Sequence, residues 1–205
     1  MKKLFSTFSA AVLFAVAAGA QASPTIYGQT GTQNTQLYTF TAASTGDLMA
    51  YFVGSTASYT NEITMLVNGV ATGIVGLNNH TSTYGSSLDF GTVQAGDSLV
   101  FELITLNPVS GVGPWYSQKS LNNDGVNHVY SSAYVGDKTI PKGTFVAFED
   151  LPNGGDFNYN DESFVFTNVA INAPAGSNVP EPASLALLGL GMVGFVASRK
   201  FAKAK

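Results

Sequence analysis

The chain has 205 residues, a formal net charge of −4, 11% charged residues and no cysteine. With only nine Lys and Arg it lacks the basic face that nucleic acid or an anionic membrane surface demands, which excludes both as partners. Disulfides are excluded as a source of stability, so a hydrophobic core, with a metal as an optional aid, must carry the fold.

In chain order, the first element is an address. Residues 1–22 carry Lys2 and Lys3, an apolar run over 10–18 and the small-residue site Ala20-Gln21-Ala22, the three parts of a secretory signal peptide cleaved after Ala22. The apolar run falls short of the roughly 20 residues of a spanning helix, which disfavours an uncleaved anchor.

Residues 23–171 read as one all-β domain, an antiparallel β-sandwich or jelly roll. No long stretch has a 3.6-residue apolar period; short β-branched and aromatic runs recur instead, separated by Gly, Asn and Asp. Strands are expected over 35–41, 48–53, 62–67, 70–75, 88–93, 98–105, 128–134, 144–148 and 163–171. Asn68-Gly69, after the alternating Ile63, Met65 and Val67, predicts a type I′ hairpin. Residues 98–105 are apolar on both faces apart from Glu102, which predicts a central strand with that carboxylate at the rim or paired.

The stretch FEDLPNGGDFNYNDESFVF holds Glu149, Asp150, Asp156, Asp161 and Glu162, with no Lys or Arg between Lys142 and Arg199. Asp156, Asn158 and Asn160 are spaced by two, so that alternate oxygens of an extended loop turn toward one centre, after a bend allowed by Gly154 and Gly155. Oxygen donors without His or Cys suit a hard cation, and Ca2+ in particular takes six to eight oxygens. The loop is no EF-hand, since Asp161 stands where the sixth-position Gly belongs and Thr167 where the twelfth-position Glu belongs. Two carboxylates about 4 Å apart repel by about 4 kcal/mol at an effective dielectric near 20, so the segment must splay into water or recruit a cation.

Residues 172–179 have a flexible linker composition. Residues 180–205 are a second address, with Pro180-Glu181-Pro182, an apolar segment over 183–198 and the basic residues Arg199, Lys200, Lys203 and Lys205. The positive-inside rule keeps both basic ends cytoplasmic and everything between them outside, with transient membrane insertion through the C-terminal segment. This tail resembles the PEP-CTERM sorting signal of Gram-negative bacteria, which implies recognition by the exosortase and cutting near Pro180, Glu181 and Pro182. With both addresses removed, Lys119, Lys138 and Lys142 face twelve acids, and three against twelve is a charge of −9.

The segment FEDLPNGGDFNYND resembles the signature of an uncharacterised domain family of bacterial extracellular proteins, of the domain of unknown function 4114 type, over roughly residues 115–167. In that family an Asn-x-Asp-Gly segment followed by His precedes the signature, matched here by Asn122, Asp124, Gly125 and His128. The resemblance implies a metal shell of Glu149, Asp150, Asp156, Asn160 and Asp161. Asn158 stands where Asp is frequent, and Asp124 is a further candidate whose other role is that of a turn residue before Gly125.

Three functions compete. A glycosidase would need Glu149 and Asp150 across one bond, but adjacent strand residues point to opposite faces. His80 and His128 lie in no nucleophile motif. A Ca2+-dependent carbohydrate-binding module would use Trp115 and Tyr116 as a stacking platform. The reading adopted is a non-enzymatic, exported matrix or surface protein, processed by exosortase, stabilised by Ca2+ and associated with extracellular polysaccharide or biofilm on the outer face of a Gram-negative cell.

Overall fold

The computed structural model describes residues 24–106 and 112–172. Its strands are β1 (Thr39–Ala42), β2 (Gly46–Ser55), β3 (Asn61–Val67), β4 (Val70–Ala71), β5 (Ser87–Val93), β6 (Ser98–Thr105), β7 (Trp115–Tyr116), β8 (Val129–Tyr134), β9 (Gly143–Phe148), β10 (Glu162–Phe166) and β11 (Val169–Asn172). One antiparallel sheet has the order β11-β1-β6-β3-β4, with β7 beside β6; the other has the order β5-β2-β10-β9-β8. The fold is the expected all-β sandwich.

Alternation along the strands decides which side chains enter the space between the sheets. Phe40, Ile63, Met65, Leu99, Phe101 and Leu103 enter it from the first sheet; Leu48, Phe52, Val146, Phe148, Phe164 and Phe166 enter it from the second. Phe101 and Phe166 meet face to face across the gap, 3.8 Å between centroids and 16° between planes. Burying each such ring contributes about 1.5–3 kcal/mol. A second cluster lies on the outer face of the β9/β10 sheet, where Phe145, Ala147 and Val165 are covered by Tyr134, Ile140 and Tyr159. β9 and β10 are therefore buried on both faces, which is why FVAF and FVF are continuously apolar. These two strands anchor both ends of the acidic connection, residues 149–161.

Asn68 and Gly69 adopt φ of 51° and 80°, the positive values of the expected hairpin. Central β6 pairs with β1, β3 and β7, and Glu102 accepts a hydrogen bond from the Tyr116 hydroxyl. Two expected strands need correction. The run 163–171 is two strands in different sheets, because Asn168 turns the chain at φ 59° and its Oδ1 accepts from the Ser44 N–H and hydroxyl. The run 70–75 pairs only at Val70–Ala71 before the chain bends at Gly73, φ 72°, and returns as a single bridge between Gly76 and Ile63.

Candidate metal centre

Strand alternation separates the neighbours Glu149 and Asp150 as they leave β9. Glu149 turns toward the residue 154–159 loop, where its Oε1 accepts from the Tyr159 N–H. Phe157 and Tyr159 both have φ of 52°, and this left-handed alternation curls the backbone so that its N–H groups face the carboxylate. Glu149 Oε2 is buried with no hydrogen-bond partner, and a Cβ added at Gly155 would come within 3.1 Å of it. Burial pushes the Glu149 carboxyl up to about 8; the Tyr159 N–H opposes this, while the charges of Asp161 and Asp156 add to it.

Asp150 turns toward the space between the sheets. Asn61 Nδ2 donates to Asp150 Oδ2 at 2.8 Å and to Glu162 Oε1 at 3.1 Å, and Asn61 Oδ1 accepts from the Thr105 hydroxyl at 2.9 Å. Glu162 is fully buried and its Oε2 has no partner. Burial pushes Glu162 up to about 9, the Asn61 amide opposes this, and the charges of Asp150 and Asp161 raise it further. Asp161 Oδ2 accepts from the Asp150 N–H at 2.9 Å. Burial raises Asp161 to about 6 and raises Asp150 as well; the Asp150 N–H opposes the rise at Asp161, and the neighbouring Asp150 charge adds to it.

The lobe therefore gathers Glu149, Asp150, Asp161 and Glu162 in and around the end of the core, with Asn61 from the opposite sheet. Among the described residues no lysine or arginine pairs with a carboxylate, so none compensates the cluster; the one contact of that kind is between Asp124 and the His128 imidazole. Among the same residues no three Asp, Glu or His side chains stand in a ready-made ligand cage. The chemistry of the set nevertheless fits a hard divalent cation: every donor is oxygen, and two buried carboxylate oxygens lack any partner.

Other sequence-derived candidates lie elsewhere. Asp156, Asn158 and Asn160 do not turn their oxygens to one centre; they form a ladder on the loop's exposed side. The Asn158 amide donates to Asp156 Oδ2 at 2.8 Å, the Asn160 N–H donates to Asn158 Oδ1 at 3.0 Å, and the Thr56 hydroxyl donates to Asn160 Oδ1 at 2.6 Å. Asp124 is a hub of a different kind: its Oδ2 meets His128 Nε2 at 2.9 Å and accepts from the Asn153 N–H at 2.7 Å, while Oδ1 accepts from the Val126 N–H at 2.9 Å. The expected stacking platform is corrected too. Trp115 is 3% exposed, lies against His128 and donates from Nε1 to the Asp150 carbonyl at 2.7 Å. Tyr116 is half-buried and bound to Glu102.

Glu162 and Asn61 are the members that the sequence pattern understated. Both carry a usable signal, since Glu162 shares its period-two face with Phe164 and Phe166, and Asn61 with Ile63 and Met65.

Two family models match the chain: a domain of unknown function, DUF4114, over residues 89–168, and the PEP-CTERM protein-sorting motif over residues 178–200. This is a PEP-CTERM protein with a DUF4114 region. No curated protein and no solved structure matches it. The sorting motif makes it an exported, exosortase-processed protein of the cell surface or extracellular space. The DUF4114 match contains the whole acidic connection, Trp115, Asp124 and His128, but begins after β3 and so leaves out Asn61. The signal-peptide site at Ala22, the sorting residues Pro180, Glu181 and Pro182, the segment 183–198 and the linker beyond Asn172 lie outside the described residues. Among the described residues no helix is long and apolar enough to cross a membrane.

Proposed function

We propose that this PEP-CTERM protein is a non-enzymatic β-sandwich of the cell surface or extracellular matrix, on the outer face of a Gram-negative envelope, stabilised by Ca2+ and associated with extracellular polysaccharide or biofilm. The observation that carries the Ca2+ reading is the pair of buried, unpartnered oxygens, Glu149 Oε2 and Glu162 Oε2, in a lobe of four carboxylates without a basic partner among the described residues. Burying ionised carboxylates without compensation costs several kcal/mol each, and a divalent cation removes that cost while supplying the missing partner. The site's own residues would hold the ion through Glu149, Asp150, Asp161 and Glu162; its role there is structural, joining the β9–β10 connection to the core.

The non-enzymatic part of the reading is supported by the same geometry. Glu149 and Asp150 are committed to the Tyr159 N–H and to Asn61 in a buried setting, not aligned across a substrate bond. The carbohydrate-binding alternative loses its stacking residue to the core with Trp115, so the matrix role is preferred. The association with polysaccharide is what the resemblance to exosortase-sorted proteins implies.

The test is thermal unfolding of the exported, processed protein in about 1 mM Ca2+ and in chelator. At a hundredfold excess over the dissociation constant the ion raises stability by about 2.7 kcal/mol, or about 5 to 10 °C in Tm. An unchanged Tm would remove the Ca2+ reading.

A further inference from the structure

The buried half of the acidic lobe spans the two sheets. Asn61 opens β3 in one sheet, while Glu162 opens β10 and Asp150 follows β9 in the other. All three are buried, at 0%, 0% and 2% exposure. The Asn61 Nδ2 group stands between Asp150 Oδ2 and Glu162 Oε1 as a cation would, but it brings only two hydrogens, and both are in use. Glu162 Oε2 is left with nothing.

A proton does not complete this corner. On Glu162 Oε2 it would neutralise the charge, but it would meet only one lone pair of a carboxyl whose Oε2 has no hydrogen-bond partner. An Asp or Glu carboxylate normally stays this deep only when its lone pairs are met. A hard cation meets several lone pairs at once, and the oxygens within this network include Glu162 Oε1 and Oε2, Asp150 Oδ2, Asn61 Oδ1 and the Thr105 hydroxyl.

We infer that the divalent cation binds on the inter-sheet side, with Glu162 as its principal ligand, Asp150 as its partner and Asn61 joining them through Oδ1 once its amide turns over, and that it clamps β3 of one sheet to β10 of the other. The exposed ladder of Asp156, Asn158 and Asn160 then shapes the loop and does not ligate the ion. This inference rests on the Ca2+ reading above and relocates its centre: Glu162 lies beside the acidic signature's D-x-N-x-N ladder, and Asn61 lies outside the matched DUF4114 segment altogether. Thr105 acts as a positioning residue, since its hydroxyl holds the Asn61 amide from β6. The clamp joins strands far apart in sequence, so its consequence is for the whole sandwich and not for one loop.

The experiment uses the exported, processed protein and three forms of it: wild type, Glu162→Gln and Asp156→Ala. Tm is read in about 1 mM Ca2+ and in chelator, with an expected wild-type rise of about 5 to 10 °C. Glu162→Gln keeps the side-chain shape and removes an uncompensated buried charge, so it should melt in chelator at least as high as wild type and gain almost nothing from Ca2+. Asp156→Ala should keep most of the wild-type rise. A second readout is terbium luminescence excited through the single tryptophan: Trp115 donates to the Asp150 carbonyl at 2.7 Å, so an ion at the clamp is sensitised by its indole. The signal should be displaced by Ca2+ and absent in Glu162→Gln. Absence of any rise in wild type would defeat the Ca2+ reading itself. A wild-type rise that Glu162→Gln reproduces in full, or that Asp156→Ala abolishes, would leave that reading standing and overturn the inter-sheet clamp.

Discussion

The imidazole of His128 lies flat on the indole of Trp115, with ring centroids 3.9 Å apart and planes 9° apart. The contact joins β7 of one sheet to the start of β8 in the other, and each ring is also tied to the chain leaving β9: Trp115 Nε1 donates to the Asp150 carbonyl, and His128 Nδ1 lies 2.8 Å from the Glu149 carbonyl. The pair thus grips the backbone on which the two carboxylates are mounted. Trp115→Ala should destabilise the protein by about 3–5 kcal/mol, read by chemical denaturation, because it removes a fully packed ring and strands a buried carbonyl. A loss under about 1 kcal/mol would place the indole at the surface, as a glycan platform requires.

Asp124 is expected to be structural. Burial alone would raise its carboxyl, but the Val126 N–H, His128 and the Asn153 N–H together bring it below the ordinary value. Asp124→Ala should cost about 2 kcal/mol through these lost bonds to a charged acceptor, with the Ca2+-induced rise in Tm retained. If the variant instead keeps its stability in chelator but no longer responds to Ca2+, Asp124 is a ligand after all.

The pH response of the cation-free protein follows from the raised carboxyls. Glu149 and Glu162 move from 4.5 to about 8 and about 9, and Asp161 from 3.8 to about 6. The folded chain therefore holds protons that the unfolded chain releases, and this stabilisation is present at low pH and is lost as pH rises through those folded values. In chelator, Tm should fall steadily between about pH 5 and pH 9, opposite to a protein whose carboxylates are salt-bridged. In Ca2+ the fall should flatten, because the ionised form is the one that binds. A Tm that climbs across the same window in chelator would show the carboxyls to be ionised and solvated.

Gly154 is confined by its neighbours. Its φ is 76°, and a Cβ there would overlap the Phe157 ring. Gly154→Ala should strain the turn that carries the 154–159 loop under Glu149, lowering Tm by several degrees, as expected for a cost above about 1 kcal/mol. Gly31, with φ of 85° but nothing within 4 Å of the added Cβ, is the control for backbone strain alone and should cost less.

Processing is checked on protein from its native host. The sorting motif spans residues 178–200, and mass spectrometry should find the C-terminus of most molecules near Pro180 to Pro182. Recovery of intact chains ending in Lys205 would mean that the motif is not cut.

Much of this protein is legible without coordinates because its signals are local. The Asn68-Gly69 turn, the alternating strands, the two-sided burial of β6 and the C-terminal sorting motif depend on residues adjacent in the chain, and the absence of basic residues near 149–162 is a plain count. The oxygen-rich composition of the acidic segment, with no His or Cys donor, is likewise read directly from the chain.

What the tertiary structure decided is which of those oxygens are buried. Alternation sends Asp150 and Glu162 inward and Glu149 outward, while the ladder of Asp156, Asn158 and Asn160 spends its polar groups on its own turn. It also decided that Trp115 is core and that Asn61, far from the acidic segment in sequence, shares its amide between Asp150 and Glu162. The physical reason is that burial is a property of the two-sheet packing: a carboxylate changes its proton and ion affinity when a distant strand closes water off from it, and no local pattern records where that strand will lie.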